Sequence, residues 1–272
     1  HSLCLHKRGR RIMSFIQRTQ QNVRGQKGRG PLMQNASECR LLSVSSILGY
    51  GFPETSLARA LERKPHFIGV DGGSTDPGAF YLGSGECLNS RKAMKRDLRL
   101  MLMAGVPRKI PVVIGTCGGA GAEPHLQEVA ALAREIAREE KLRFKLALIH
   151  SDQSKADVRT WLKAGRISAL RNVPELTDAI VERSSRIVGM MGAEPFMKAL
   201  DSGADVVLAA RASDAASWAG CAMSRGMAAA PSWYSGKMLE CGTASGTYVT
   251  RCDNSGVTAG STFGSLNQMV CP

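Results

Sequence analysis

The sequence is short of the features that mark several protein classes. No apolar run approaches the roughly 18 residues that suggest a membrane-spanning helix, because Arg, Lys, Asp or Gly interrupts each one, and no membrane role is expected. Aromatic residues make up only 5% and do not interleave with basic ones, so the stacking platforms of nucleic-acid binders are missing. The eight cysteines, at 4, 39, 87, 117, 221, 241, 252 and 271, include no C-x-x-C pair, which speaks against structural zinc. With no apolar signal peptide, reduced thiols and a cytoplasmic location are expected. Acids are nearly missing from residues 1–40, where nine Lys or Arg face Glu38 alone, whereas the remainder holds 27 basic and 22 acidic residues. The net charge of +13 is therefore concentrated in the leader, and no nucleic-acid partner is expected for the body.

That leader, 1–40, reads as disordered or non-native. It begins with His, and Met13 and Met33 both suit a natural start. Arg-rich, acid-poor composition also fits a mitochondrial targeting segment, which would move the location to that organelle, and an anion-binding arm is a third reading.

What the chain does have is alternation. Short runs rich in β-branched residues, 41–48, 67–70, 110–115, 144–150 and 204–211, are separated by segments of helical period at 54–64, 89–104, 123–141, 152–163, 174–184, the second half of 186–203, and 213–223. Asn89 or Ser90 suits the N-cap of the second helix, Gly105 its stop, and Ser213 the cap of the last. Strand–helix alternation predicts an α/β fold with an open, mostly parallel sheet and helices on both faces. The nearly continuous apolar character of V206-V-L-A-A and K145-L-A-L-I fits strands buried on both sides. One α/β domain is expected over 41–242. The Ser-, Thr- and Gly-rich segment 243–272 is expected to be an irregular, incomplete polar tail, truncated or non-homologous.

In parallel sheets ligands bind beyond the carboxyl ends of the strands, and here each strand ends in residues suited to that. The first run leads to Gly49-Tyr50-Gly51, the second to D71-G-G-S-T-D76, the third to T116-C-G-G-A-G-A-E-P-H125, the fourth to His150-Ser151-Asp152, and the fifth to Arg211, Ser213 and Asp214. The third lacks the Lys-Ser/Thr ending of a P-loop and the G-x-G-x-x-G spacing. D71-G-G-S-T is similar to the first phosphate loop of the sugar kinase and actin superfamily, but Pro77 cannot continue the return strand of that hairpin. A phosphotransferase is thus the weaker alternative. Glycines let backbone amides approach an anion, which makes Gly118, Gly119 and Gly121, with the hydroxyls of Ser74 and Thr75, candidates for substrate binding. Asp71 and Asp76 would repel a bare anion, so a divalent metal ion held by both is a candidate cofactor. His150 and Asp152 are candidate base or acid groups beside Asp71. Arg211, ending an apolar strand, should present its guanidinium to the crevice as a substrate anion holder with Asp214. His125 is expected to pack or be solvated, Glu194 to start a helix, and Lys237 with Glu240 to border the site or pair at the surface.

As an ordered set, I68–G85, G115–L126, L148–D152, R186–F196 with G203–D214, and G236–G242 resemble the N-terminal portion of the acyclic terpene utilisation (AtuA-like) family over residues 41–242. The resemblance implies a role in degrading acyclic terpenes or branched-chain carboxylic acids. The expected enzyme is of lyase or hydratase type, acting on the acid or its CoA thioester. The alternative is a non-catalytic subunit that binds the acid or acyl-CoA, as a homo-oligomer or with a partner catabolic subunit.

Overall fold

The computed structural model describes residues 3–6, 38–73, 79–170, 172–240, 248–253, 256–262 and 265–271, with side chains assigned over the described part of 38–240. Five strands form the parallel core of the sheet: β2 (Glu38–Ser43), β3 (Phe67–Asp71), β4 (Val112–Gly115), β5 (Leu146–Ile149) and β7 (Val206–Ala209), in the spatial order β2-β3-β4-β7-β5. The α/β class expected from the sequence is the one found.

The apolar runs are continuous because both faces of the sheet are covered. Successive residues of a strand point to opposite faces. Leu42, Ile68, Val70, Val112, Ile114, Val206 and Leu208 face one way and pack with α1 (Glu54–Glu62), α3 (Arg91–Gly105) and α4 (Glu123–Glu139). Leu41, Phe67, Val113, Val207 and Ala209 face the other way and pack with α7 (Glu194–Asp201), α8 (Ala216–Met223) and α9 (Ala229–Glu240). Each large apolar side chain buried this way stabilises by about 1.5–3 kcal/mol, so a charge on either face of β4 would be severe.

The chain steps β2, β3, β4 in one direction with α1 and α3 on one face. After α4 it passes to β5 at the sheet edge, then returns through α5 (Lys155–Lys163), α6 (Asp178–Arg183), β6 (Ile187–Met190) and α7 to insert β7 between β4 and β5. The reversal brings the ends of β3, β4 and β7 side by side. Further strands β8 (Tyr248–Asp253), β9 (Gly256–Thr262) and β10 (Ser265–Cys271) extend the sheet beyond β2, with β8 antiparallel to it, and β1 (Leu3–His6) pairs with β6.

Three local expectations are corrected. Ser213 does not cap α8: Ala215 takes that position without a side-chain bond, while Ser213 spends its amide on the Met191 carbonyl. Gly105 closes α3 from inside the helix and Val106 is its cap, whereas Ser90 is the N-cap as expected, accepting from the Ala93 amide. The stretch before Gly236 is helix α9, not loop. Its Ser and Gly residues have modest helix propensity, and packing on α8 decides. No described helix is long and apolar enough to cross a membrane.

Candidate functional site

Asp71 is the last residue of β3, placed by two backbone bonds: its carbonyl accepts from the Leu48 amide at 2.8 Å, and the next amide, Gly72, donates to the Gly115 carbonyl at 2.6 Å. The side chain is buried and Oδ1 has no hydrogen-bond partner. Two strands away, Arg211 follows β7. Its amide donates to the Gly121 carbonyl at 2.8 Å and to Ser151 Oγ at 3.0 Å, while Ser151 Oγ donates to the same Gly121 carbonyl at 2.7 Å. Ser151 thereby ties the ends of β5 and β7 to the loop after β4. The Arg211 side chain is only 3% exposed, and its Nε and Nη1 lack partners.

Ser217, in the first turn of α8, adds a fourth unpartnered polar atom. Its Oγ and Asp71 Oδ1 lie 3.5 and 3.4 Å from the point where a side chain on Gly115 would begin, so both border the space that this glycine leaves open. Glu240, at the end of α9, is buried and accepts from Lys237, which is itself exposed. The pair is therefore not the surface pair that its spacing suggested.

Burial drives the Asp71 carboxyl well above the usual carboxylate range, and the Asp214 carboxylate adds to the rise; the Gly73 amide and the Arg211 guanidinium oppose it, and Glu240 pushes it up further. Desolvation disfavours the ionised form and a like charge reinforces this. The rise favours the protonated form of Asp71, which can donate a proton or a hydrogen bond. A protonated carboxyl is a poor metal ligand. Among the described residues no group of three or more His, Cys, Asp and Glu could hold a metal ion. Asp76, the second acid of the expected metal pair, lies outside the described residues, as do Ser74 and Thr75.

Gly118, Gly119 and Gly121 all have positive φ, but protein fills the space beside them. A Cβ on Gly118 would meet Cys87 and His125, one on Gly119 would meet Leu88, and one on Gly121 would lie 2.4 Å from the Arg211 amide nitrogen. The amides of Gly119 and Gly121 donate to the Thr116 and Cys117 carbonyls within the loop. These glycines therefore position Arg211 and α4, and two of the three amides expected for an anion are already engaged. Thr116, unremarked in the sequence, is the strained residue of this loop. It holds φ 41°, rare for a β-branched residue, and its Oγ1 both donates to the Ala212 carbonyl at 3.2 Å and accepts from the Ala212 amide at 3.3 Å.

His150 and Asp152 belong to a different group. Ser151 points to Gly121 and Arg211, and in extended chain its neighbours turn the other way. His150 Nδ1 meets Glu123 Oε2 at 2.6 Å, with the His150 side chain 40% exposed. Burial alone would raise Glu123, but bonds from His150 and Gln127 prevail and hold it below its ordinary value. Burial raises Asp152, against the pull of the Glu123 amide at the start of α4. The charges acting on Asp152 are Glu123, Arg186 and His150; those acting on Asp71 are Asp214, Arg211 and Glu240. With Ser151 turned toward Gly121 and Arg211, His150 pairs instead with Glu123 at the start of α4.

His125 packs, as expected: Nδ1 accepts from the Ala122 amide at 3.1 Å, and Nε2 lies 2.9 Å from the Glu86 carbonyl and 3.1 Å from that of Tyr81. Burial lowers its pKa. Glu194 opens α7 and is exposed. Ser217 was missed although a signal existed, a hydroxyl within the otherwise apolar run A215-A-S-W-A-G-C-A222.

Residues 91–264, more than half of the chain, match the model of the family described as acyclic terpene utilisation family protein AtuA. No curated protein and no solved structure matches the chain. By this match over more than half of its length, the chain belongs to the acyclic terpene utilisation family AtuA.

Proposed function

We propose that the protein binds the carboxylate of an acyclic terpenoid or other branched-chain acid, or the polar end of its CoA thioester, at Arg211, and acts on it as a lyase or hydratase. The observation that carries this reading is the Arg211 guanidinium, buried with Nε and Nη1 unpartnered. A buried charge with unfilled donors is costly, and its planar fork matches a carboxylate.

Beside it, Asp71 takes the acid role and Asp214 the base role. In a dehydration, the Asp214 carboxylate takes a proton from the carbon next to the carboxyl group, and the C–H electron pair becomes the new C=C bond. The departing hydroxyl takes the Asp71 proton and leaves as water. Return of the proton from Asp214 to Asp71 resets the pair, and hydration is the reverse. A carboxyl group whose pKa is raised by burial is suited to giving up its proton in acid–base work. Ser217 is placed to hold the migrating hydroxyl over Gly115. His150, oriented by Glu123, is a second base outside this crevice.

The test is calorimetric titration of the protein with a citronellate-type acid and its CoA thioester, followed by product analysis of the hydrated and dehydrated forms. Binding with interconversion supports the enzyme, and binding without turnover assigns the non-catalytic acid- or acyl-CoA-binding role. Failure to bind either compound contradicts both readings.

A further inference from the structure

At the opposite edge of the sheet is a cavity that the function above leaves unused. It has a volume of about 230 Å³ and is lined by Pro65, His66, Phe67, Lys109, Ile110, Pro111 and Arg225. It lies where β3 and β4 begin, away from the strand ends that hold Asp71 and Arg211. Two basic residues line it from different elements, and a third, Arg40, stands behind His66 in an ion pair with Glu38. Lys109 stands in the turn between α3 and β4, Arg225 follows α8, and Arg40 of β2 faces His66 from behind. No carboxylate lines the cavity, and Arg225 Nε is buried without a hydrogen-bond partner.

His66 lies between this cavity and Arg40. Its Nδ1 accepts from the Arg40 amide at 3.0 Å, which leaves the proton on Nε2, and Nε2 lies 3.2 Å from Arg40 Nη2. Two donors therefore face each other, an arrangement that an acceptor able to take both would relieve. Burial, followed by the charges of Arg225 and Arg40, lowers the His66 pKa to about 4, so the ring is neutral and adds donors, not charge. Lys109 has φ 56°, a conformation that a lysine adopts only at a cost.

We propose that this cavity is a binding site for a phosphoryl group, held by Arg225 and Lys109 with His66 as a neutral donor. Guanidinium and ammonium groups with convergent N–H donors are the usual means of holding a multiply charged oxyanion. The volume falls below the roughly 300 Å³ at which sites for drug-sized ligands begin. That selects a small anion, or one phosphoryl end of a longer molecule whose remainder lies outside. Free inorganic phosphate and the 3′-phosphate of CoA share this chemistry. The inference does not depend on the acid-binding role of Arg211.

The experiment titrates the full chain in phosphate-free buffer with inorganic phosphate, CoA and dephospho-CoA, for the wild type, Arg225→Gln, Lys109→Asn and Arg211→Gln. Asn tolerates the left-handed backbone at position 109, so that variant removes the charge without disturbing the turn, and circular dichroism and melting establish that each variant is folded. The expected result is phosphate binding weakened at least roughly tenfold by Arg225→Gln and by Lys109→Asn and unchanged by Arg211→Gln. CoA binding that requires both its 3′-phosphate and Arg225 would assign the phosphoryl group to the cofactor, and binding of phosphate alone would assign a free anion. Absence of binding by phosphate and CoA, or binding indifferent to both cavity variants, overturns the proposal. A failure of the acid titration alone leaves this result standing and contradicts only the Arg211 reading.

Discussion

Ser151 and Arg211 are joined by a 3.0 Å bond from the Arg211 amide to the Ser151 hydroxyl, and the same hydroxyl donates to Gly121 at 2.7 Å. Three separate chain segments meet in that one side chain, which is buried. Removing it leaves the Gly121 carbonyl with one donor fewer and frees the end of β7. Ser151→Ala is expected to lower unfolding free energy by about 1 kcal/mol and to weaken acid binding through displacement of Arg211. Chemical denaturation and calorimetry on the same preparation measure both. Unchanged affinity at reduced stability would show that Ser151 does not position Arg211.

Gly121 tests the same junction from the other side. At φ 68° a Cβ would stand 2.4 Å from the Arg211 amide nitrogen, whereas at Gly165, with φ 63°, nothing lies within 4 Å. Both alanine variants carry the left-handed strain of about 1–2 kcal/mol, and only Gly121→Ala adds a backbone collision. Gly165→Ala is expected to fold with a modest loss in melting temperature, and Gly121→Ala to be far less stable and unable to bind the acid. Equal losses would remove the close-approach explanation.

Asp71 makes stability depend on pH. Its folded pKa lies above the ordinary carboxylate value of about 3.9, so the folded chain keeps a proton that the unfolded chain has released. The stability gained this way is full below the unfolded pKa and is lost as pH rises through the folded one. Glu123, held low in the folded state, acts in the opposite sense, its contribution being lost as pH falls. Asp71→Asn is expected to gain stability over the wild type as pH rises from 4 toward neutrality, because unfolded wild type releases a proton that the folded chain keeps while the amide has none to release, and to abolish turnover. Parallel denaturation curves for the two proteins across that range would show that Asp71 ionises normally.

The His150–Glu123 pair is partly open to water, and exposed pairs of this kind contribute roughly 0–1 kcal/mol. His150→Ala is expected to shift melting slightly and to leave acid affinity at Arg211 intact, since no charge acting on Asp71 belongs to that group. A large loss of affinity would place His150 in the same site after all.

Much of this arrangement was legible in the chain. The continuous apolar run of β7 announced a strand buried on both sides, whereas the equally apolar run of β5 is only half-buried because it lies at the sheet edge, and a charged residue straight after a buried strand, such as Arg211, has few places to go except the crevice. The division between His150 and Arg211 was not legible, because it depends on which way Ser151 turns at a strand end, and that follows from its bond to Gly121 across the sheet. The insertion of β7 between β4 and β5 leaves no local mark either, since the crossover is set by how helices cover the two faces. The loop glycines looked like an anion cradle because close backbone approach to a ligand and close approach to Arg211 demand the same residue.

The central claim is that the Arg211 guanidinium is buried for a ligand and not for the fold, and Arg211→Met tests it most directly. Methionine keeps an unbranched, adaptable apolar stem and removes a buried charge whose Nε and Nη1 have no partner, a change that is often neutral or stabilising. Melting temperature and affinity for a citronellate-type acid are measured on one preparation. The account predicts an equal or higher melting temperature with binding weakened by about 1.5–3 kcal/mol; a lower melting temperature with affinity retained would contradict it.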